Sequence, residues 1–336
     1  MDRNTVYIID DKYGLPYSKG IIASTIMATG LSPRQAYEAA RKIEEILIKS
    51  GKTSISLEEL HYVIHQRLKS EIGEVFARRY AELLAIKKLN RPIIVLIGGT
   101  TGVGKSTIAV EVAHRLAITR VVSTDSIREV MRTILSKDLV PALYESTYLA
   151  YRGLRFPYPS LSDPLIIGFR EQVSLVAVGV QAVIDRSVRE ATHLVVEGIH
   201  VVPGYVKIDI PAERAVVVPV IITAEDPVQH KSHFYIRDIE TSGQRSVKRY
   251  QKNFENIRRI GEYIEELAEE YHFARISGLN IDTAVLQILD FTMSKVALSP
   301  GVKEEANAFE EKSDQWFSKF AHENTLITEQ FGDEVI

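Results

Sequence analysis

Over the first ninety positions, apolar residues recur at helical spacing between recognisable caps. The stretch "TVYIID" reads as a short strand, and "DKYGLP" is expected to turn the chain after it. "SKGIIASTIMATG" predicts a helix capped by Ser18 and stopped by Gly30. "SPRQAYEAARKIEEILIKSG" predicts another, with Ser32 as N-cap, Pro33 in the first helical position and Gly51 beyond the end. In "SISLEELHYVIHQRLKS", Ser56 stands three residues before Glu59, the spacing of a reciprocal cap. "EVFARRYAELLAIKKL" completes a small, mainly helical module over residues 1–90. Pro92 disfavours helix in the residue before it, so Asn90-Arg91-Pro92 is the expected boundary.

Past Pro92 the period changes. "PIIVLIGG" is a continuous apolar run ended by glycine, as expected of a strand buried on both faces. "TRVVSTD", "THLVVEG", "RAVVVPVIIT" and "YHFARIS" come next, with helical stretches between them. This alternation predicts an α/β domain over residues 91–298, a parallel sheet with flanking helices. Residues 299–336 read as an acidic helical tail with a frayed end, carrying the only tryptophan, Trp316. Internal repeats and low-complexity tracts are absent from the sequence.

Composition narrows the field. A net charge of −3 argues against a general nucleic-acid surface. The absence of cysteine removes disulfides, thiol catalysis and cysteine-type zinc sites. The polar N-terminus shows no leader, and no apolar run approaches the length needed to cross a bilayer, so a cytoplasmic protein is expected. An oligomer is compatible with all of this. The charge is nonetheless uneven. His230–Ile260 holds eight basic and three acidic residues, whereas Gly301–Ile336 holds three basic and nine acidic. A basic segment on an acidic chain suits a small anion better than a polyanion.

The strongest chemical signal is "GGTTGVGKST", which fits the G-x-x-x-x-G-K-[ST] phosphate loop between a strand and a helix. Gly99, Thr100, Thr101, Gly102, Val103, Gly104, Lys105, Ser106 and Thr107 are therefore expected to bind ATP. Backbone N–H groups and the helix N-terminus would face the phosphates, Lys105 would reach the β- and γ-phosphates, and Ser106 would ligate Mg2+. Asp125 closes the next strand, where it could accept a proton from an acceptor, hold Mg2+ through water, or merely cap the following helix together with Ser126. Arg128 and Arg132, four apart on one helix face, could add an anion contact, with a solvated face as the alternative. Glu197 ends another buried strand as a candidate second carboxylate near Mg2+. His200, beside it, reads as a packed histidine on the active rim. "YRGLRFPYPSLSDP" offers Arg152 and Arg155, with Tyr151, Phe156 and Tyr158, as a substrate loop or an ordinary surface loop. "HKSHFYIRDIETSGQRSVKRY" comes after the fourth strand as a candidate lid, in which Arg237, Arg245 and Arg249 would clamp phosphates and Lys231 and His233 would assist.

With these residues assembled, the chain resembles the 2-phosphoglycerate kinase family. The resemblance rests on "GGTTGVGKST", "STDSIREVMR", "VVEGIH" and "HFYIRD…GQRSVKRY". It implies a P-loop NTPase fold, ATP with Mg2+, and transfer to a small phosphorylated hydroxy acid, giving 2,3-bisphosphoglycerate. Asp125 would then face the acceptor. Residues 1–90 resemble the ATP-cone, a nucleotide-binding regulatory module, although Ile8-Ile9-Asp10-Asp11 stands where that family usually carries a basic pair. A kinase of the seryl-tRNA type and a non-catalytic ATP sensor are the alternatives; the net charge speaks against the first.

Overall fold

The computed structural model describes residues 6–10, 13–50, 54–155, 162–240 and 247–323. The chain divides into two compact units. The first comprises residues 1–90, 114–117 and 293–336, and the second residues 91–113 and 118–292.

In the first unit, β1 (Tyr7–Asp10) pairs antiparallel with β2 (Tyr13–Pro16) and parallel with β3 (Ser54–Ser56). The pattern predicts a turn at "DKYGLP" and no strand at Ser54, but both segments are strands. Each is too short to show a period of its own, and each is fixed by partners distant in sequence, Tyr7↔Pro16 and Tyr7↔Ser54. Four helices come after these strands or lie between them: α1 (Lys19–Met27), α2 (Pro33–Lys49), α3 (Leu57–Glu71) and α4 (Glu74–Lys88). Ser18, Ser32 and Ser56 are caps as the spacing predicts, the last two in reciprocal boxes with Gln35 and Glu59. Ile26, Ile43, Leu60 and Ile64 fill the core between the helices.

The second unit is built on five parallel strands. β4 (Ile93–Gly98) is buried along its whole length and leads to α5 (Lys105–Arg115). β5 (Val121–Ser123) runs into α6 (Thr124–Ile134), then α7 (Pro141–Tyr144), a 3-10 segment at Thr147–Gly153 and α8 (Pro164–Arg189). β6 (Leu194–Glu197) and β7 (Val216–Thr223) precede α9 (Pro227–Glu240), α10 (Val247–Lys252) and α11 (Phe254–Glu270). β8 (Ala274–Ser277) completes the sheet in the order β5-β6-β4-β7-β8, and α12 (Ile281–Ala297) comes after it. Ile94 lies opposite both Leu194 and Val217, so the apolar run of β4 is the sheet's spine. Contrary to expectation, α8 is long and apolar enough by composition to cross a bilayer. Its Phe169, Val173, Val176, Val180 and Ile184 are instead fully buried in this unit's core, which is the other reason for a long helix to be apolar.

The segment that charge sets apart as a tail, α13 (Val302–Glu323), belongs to the first unit. Phe309 and Trp316 meet Tyr62 of α3 at ring distances of 5.4 and 5.9 Å. Asp314 accepts from Gln66 and Lys69, and Arg78 of α4 pairs with Glu310. The acidic residues of α13 thus answer basic residues of α3 and α4, a match invisible when either segment is read alone.

Candidate active site

The site grows from the carboxyl ends of β4, β5 and β6, the edge where open parallel sheets take their ligands. After β4, the loop Gly99–Gly104 turns back into the first turn of α5. Gly102 is required there twice over. Its φ is +88°, and a Cβ at that position would lie 2.5 Å from the Phe234 ring. Lys105 is buried and donates from Nζ to the Thr100 carbonyl at 2.5 Å, so it lies back across its own loop. Burial pushes its pKa below the ordinary lysine value; the Glu197 carboxylate, and after it Asp125, act against that shift. Ser106 Oγ donates to Glu197 Oε2 at 3.1 Å. Glu197 is the last residue of β6 and lies in register with Ile97 and Ser123, which sets its carboxylate beside the loop.

The cap of α6 differs from expectation. Ser123, still in extended conformation, accepts from the Ser126 N–H at 3.1 Å, so neither Asp125 nor Ser126 serves as the cap. Asp125 stands in the first turn with its side chain 58% exposed, 3.9 Å from Arg128 Nη2. Arg128 itself is largely enclosed. Its Nη1 donates to the Glu145 carbonyl at 3.2 Å, and its buried Nε has no hydrogen-bond partner among the described residues. Arg132 faces elsewhere: it pairs with Glu129 and covers the Tyr144 ring at 4.7 Å.

The candidate lid arginines fare differently. Arg249 of α10 donates to Ser146 Oγ at 2.7 Å, next in sequence to the carbonyl that holds Arg128. Two arginines from separate helices therefore converge on Glu145–Ser146. Arg245, Phe156 and Tyr158 lie outside the described residues, as do the side chains of Arg237 and His233 on α9. Lys231 rests over the Phe254 ring at 4.8 Å rather than on an anion site. Arg152 and Arg155 make no hydrogen bond to the loop among the described residues, and Arg152 lies by the Tyr151 ring.

Sequence reading missed how the loop is braced. His230 is fully buried, and its Nε2–H donates to the Thr101 carbonyl at 2.8 Å. It stacks on Phe234, which stacks in turn on Tyr250 at 4.8 Å. Thr100 Oγ1 donates to the Ile257 carbonyl of α11. The spacing of His230 and Phe234, four apart on α9, was the available signal, obscured by the surrounding charge.

A glycine-rich loop of this form, between a buried strand and a helix, suits the phosphates of a nucleotide. The fold is that of a P-loop kinase. Within that class, the chain belongs to the 2-phosphoglycerate kinase family. It is 45% identical over 284 residues to the 2-phosphoglycerate kinase of Methanopyrus kandleri, spanning 84% of this chain and 86% of that one. The Methanothermobacter thermautotrophicus enzyme of the same name is 40% identical over 292 residues, 87% and 94% of the two chains. That of Pyrococcus furiosus is 38% identical over 286 residues, 85% and 92%. No family model matches the chain, and no solved structure matches it.

Proposed function

We propose that the chain transfers the γ-phosphoryl group of ATP to the free hydroxyl of 2-phosphoglycerate, giving 2,3-bisphosphoglycerate. The observation that carries this reading is the convergence of Arg128 and Arg249 on Glu145–Ser146, with Asp125 3.9 Å from Arg128 and near enough to influence Lys105. Two guanidinium groups suit an acceptor that already bears a carboxylate and a phosphate. On nucleotide binding, Lys105 exchanges the Thr100 carbonyl for phosphate oxygens. Asp125 takes the proton of the acceptor hydroxyl as its oxygen bonds to phosphorus, and the bond to the bridging oxygen breaks to release ADP.

The oxygen donors Ser106 Oγ and Glu197 Oε2, 3.1 Å apart beside the loop, fit a hard divalent cation. These two residues would hold Mg2+, and the ion would neutralise charge on the β- and γ-phosphates. Residues 1–90 are read as an ATP-cone-like regulatory module, and the reaction is read as cytoplasmic. ADP release is measured with 2-phosphoglycerate, 3-phosphoglycerate and glycerate added separately. Only the first is expected to stimulate it; stimulation by none would overturn the reading. Asp125→Asn is expected to lower kcat by about 100-fold or more while ATP still binds.

A further inference from the structure

His200 does more than pack. It lies three residues past Glu197, fully buried, and both ring nitrogens are engaged: Nδ1 with Thr124 Oγ1 at 3.0 Å and Nε2 with Gln172 Oε1 at 3.1 Å. The far end of this chain of hydrogen bonds sets its direction. Gln172 Nε2 faces two carbonyls, Ala142 O at 2.6 Å and Glu145 O at 3.1 Å, so it is the amide nitrogen and Oε1 must accept. His200 therefore carries its proton on Nε2, and Nδ1 accepts the Thr124 hydroxyl proton. The ring is neutral, and burial pushes its pKa down to about 3. With no exposed surface and no open nitrogen, His200 cannot serve as the catalytic base.

What the chain connects is informative. Thr124 is the first residue of α6, one before Asp125. It fits so closely against Gly198, just past Glu197, that a Cβ there would fall 1.9 Å from Thr124 Oγ1; the Gly198 φ of +145° excludes a side chain as well. At the other end, the Glu145 carbonyl that receives Gln172 also receives Arg128, which returns to α6. The path Thr124–His200–Gln172–Glu145–Arg128 is a closed ring around one side of the site, drawn from α6, the segment after β6, α8 and the segment after α7.

We infer that Thr124, His200 and Gln172 are positioning residues that fix the spacing of Asp125 and Arg128 for the acceptor, leaving the nucleotide side untouched. This rests on the proposed placement of 2-phosphoglycerate at Arg128. The links through Thr124, His200 and Gln172 satisfy buried polar groups, so removing one leaves its neighbour unpaired and loosens the ring.

The test compares Thr124→Val, which keeps the shape and loses the hydroxyl, with Thr124→Ser, which keeps the hydroxyl. Thr124→Val is expected to raise the KM for 2-phosphoglycerate about tenfold, the effect of one lost buried hydrogen bond, with the KM for ATP unchanged. Thr124→Ser is expected to restore the wild-type value. Should Thr124→Val fail to fold, Gln172→Met carries the same expectation. Equal changes in both KM values, no change in either, or a Ser variant as impaired as the Val variant would overturn the inference. Arg128→Met separates the two claims. If it leaves the KM for 2-phosphoglycerate unchanged, the acceptor placement fails and the inference falls with it. If it raises that KM while Thr124→Val does not, only the ring is refuted.

Discussion

Replacing Phe234 with leucine removes a ring on which three others rest. Tyr250 stacks on it at 4.8 Å and 10°, His230 at 5.4 Å and 29°, and Phe254 meets it edge-on at 6.3 Å. Leucine retains most of the apolar volume, so the loss lies mainly in ring contacts, each worth about 0.5–1.5 kcal/mol. Because the three share one ring they do not add fully, and a net loss of about 2 kcal/mol is expected. That is roughly 30-fold in a local opening equilibrium, at 1.4 kcal/mol per factor of ten. The consequence should be regional. α10, carrying Tyr250, and the loop at Gly102, backed by Phe234, should open more often, while β4 and β6 should not. Hydrogen–deuterium exchange on the full chain without nucleotide reads this directly: peptides covering 247–252 and 99–104 should exchange about 30-fold faster, and those covering 93–98 and 194–197 at the wild-type rate. Unchanged exchange in 247–252 would refute the claim that this stack holds α10 to the glycine-rich loop.

The same geometry bears on two further outcomes. Glu197→Gln keeps an acceptor for Ser106 but removes the charge, so kcat should fall by about 100-fold or more while metal-free ATP binding changes little; a kcat within about threefold of wild type would remove Glu197 from the cation site. In the first unit, burial pushes His61 and His65 down to about 4. Their unfolded value is about 6.5, so the unfolded chain binds more protons between those two values. The stability they contribute is therefore full above about pH 6.5 and declines as pH falls toward 4. Thermal melts should show that decline, and His65→Gln should flatten it; an equal slope in the variant would count against the assignment.

Local features were legible in the sequence and distant ones were not. Ser18, Ser32 and Ser56 could be recognised as caps because a cap is decided within four residues. The phosphate loop was equally plain, since glycine, lysine and serine at fixed spacing after a buried strand leave the backbone little freedom. The cap of α6 lies two or three residues earlier than the pattern predicts, because Ser123, Asp125 and Ser126 all have capping side chains and only the end of β5 decides among them. β2 and β3 depend on pairing with β1, and Arg132 on an aromatic partner twelve residues away. His230 looked like part of a cationic patch, and burial makes it a brace. Gln172 has no motif at all, and Thr124 lies in one without standing out from Asp125 beside it; their roles exist only where four segments meet.

The packing of α13 on α3 and α4 has a consequence for the order of synthesis. Tyr62 and His65 are made early, but Phe309, Ser313 and Trp316 leave the ribosome only after the entire kinase sheet has been translated. The second unit can thus complete its fold during translation, whereas the first must wait with one face of α3 uncovered. A stalled or shortened chain would then declare itself at the opposite terminus, as a defect in the module that was synthesised first.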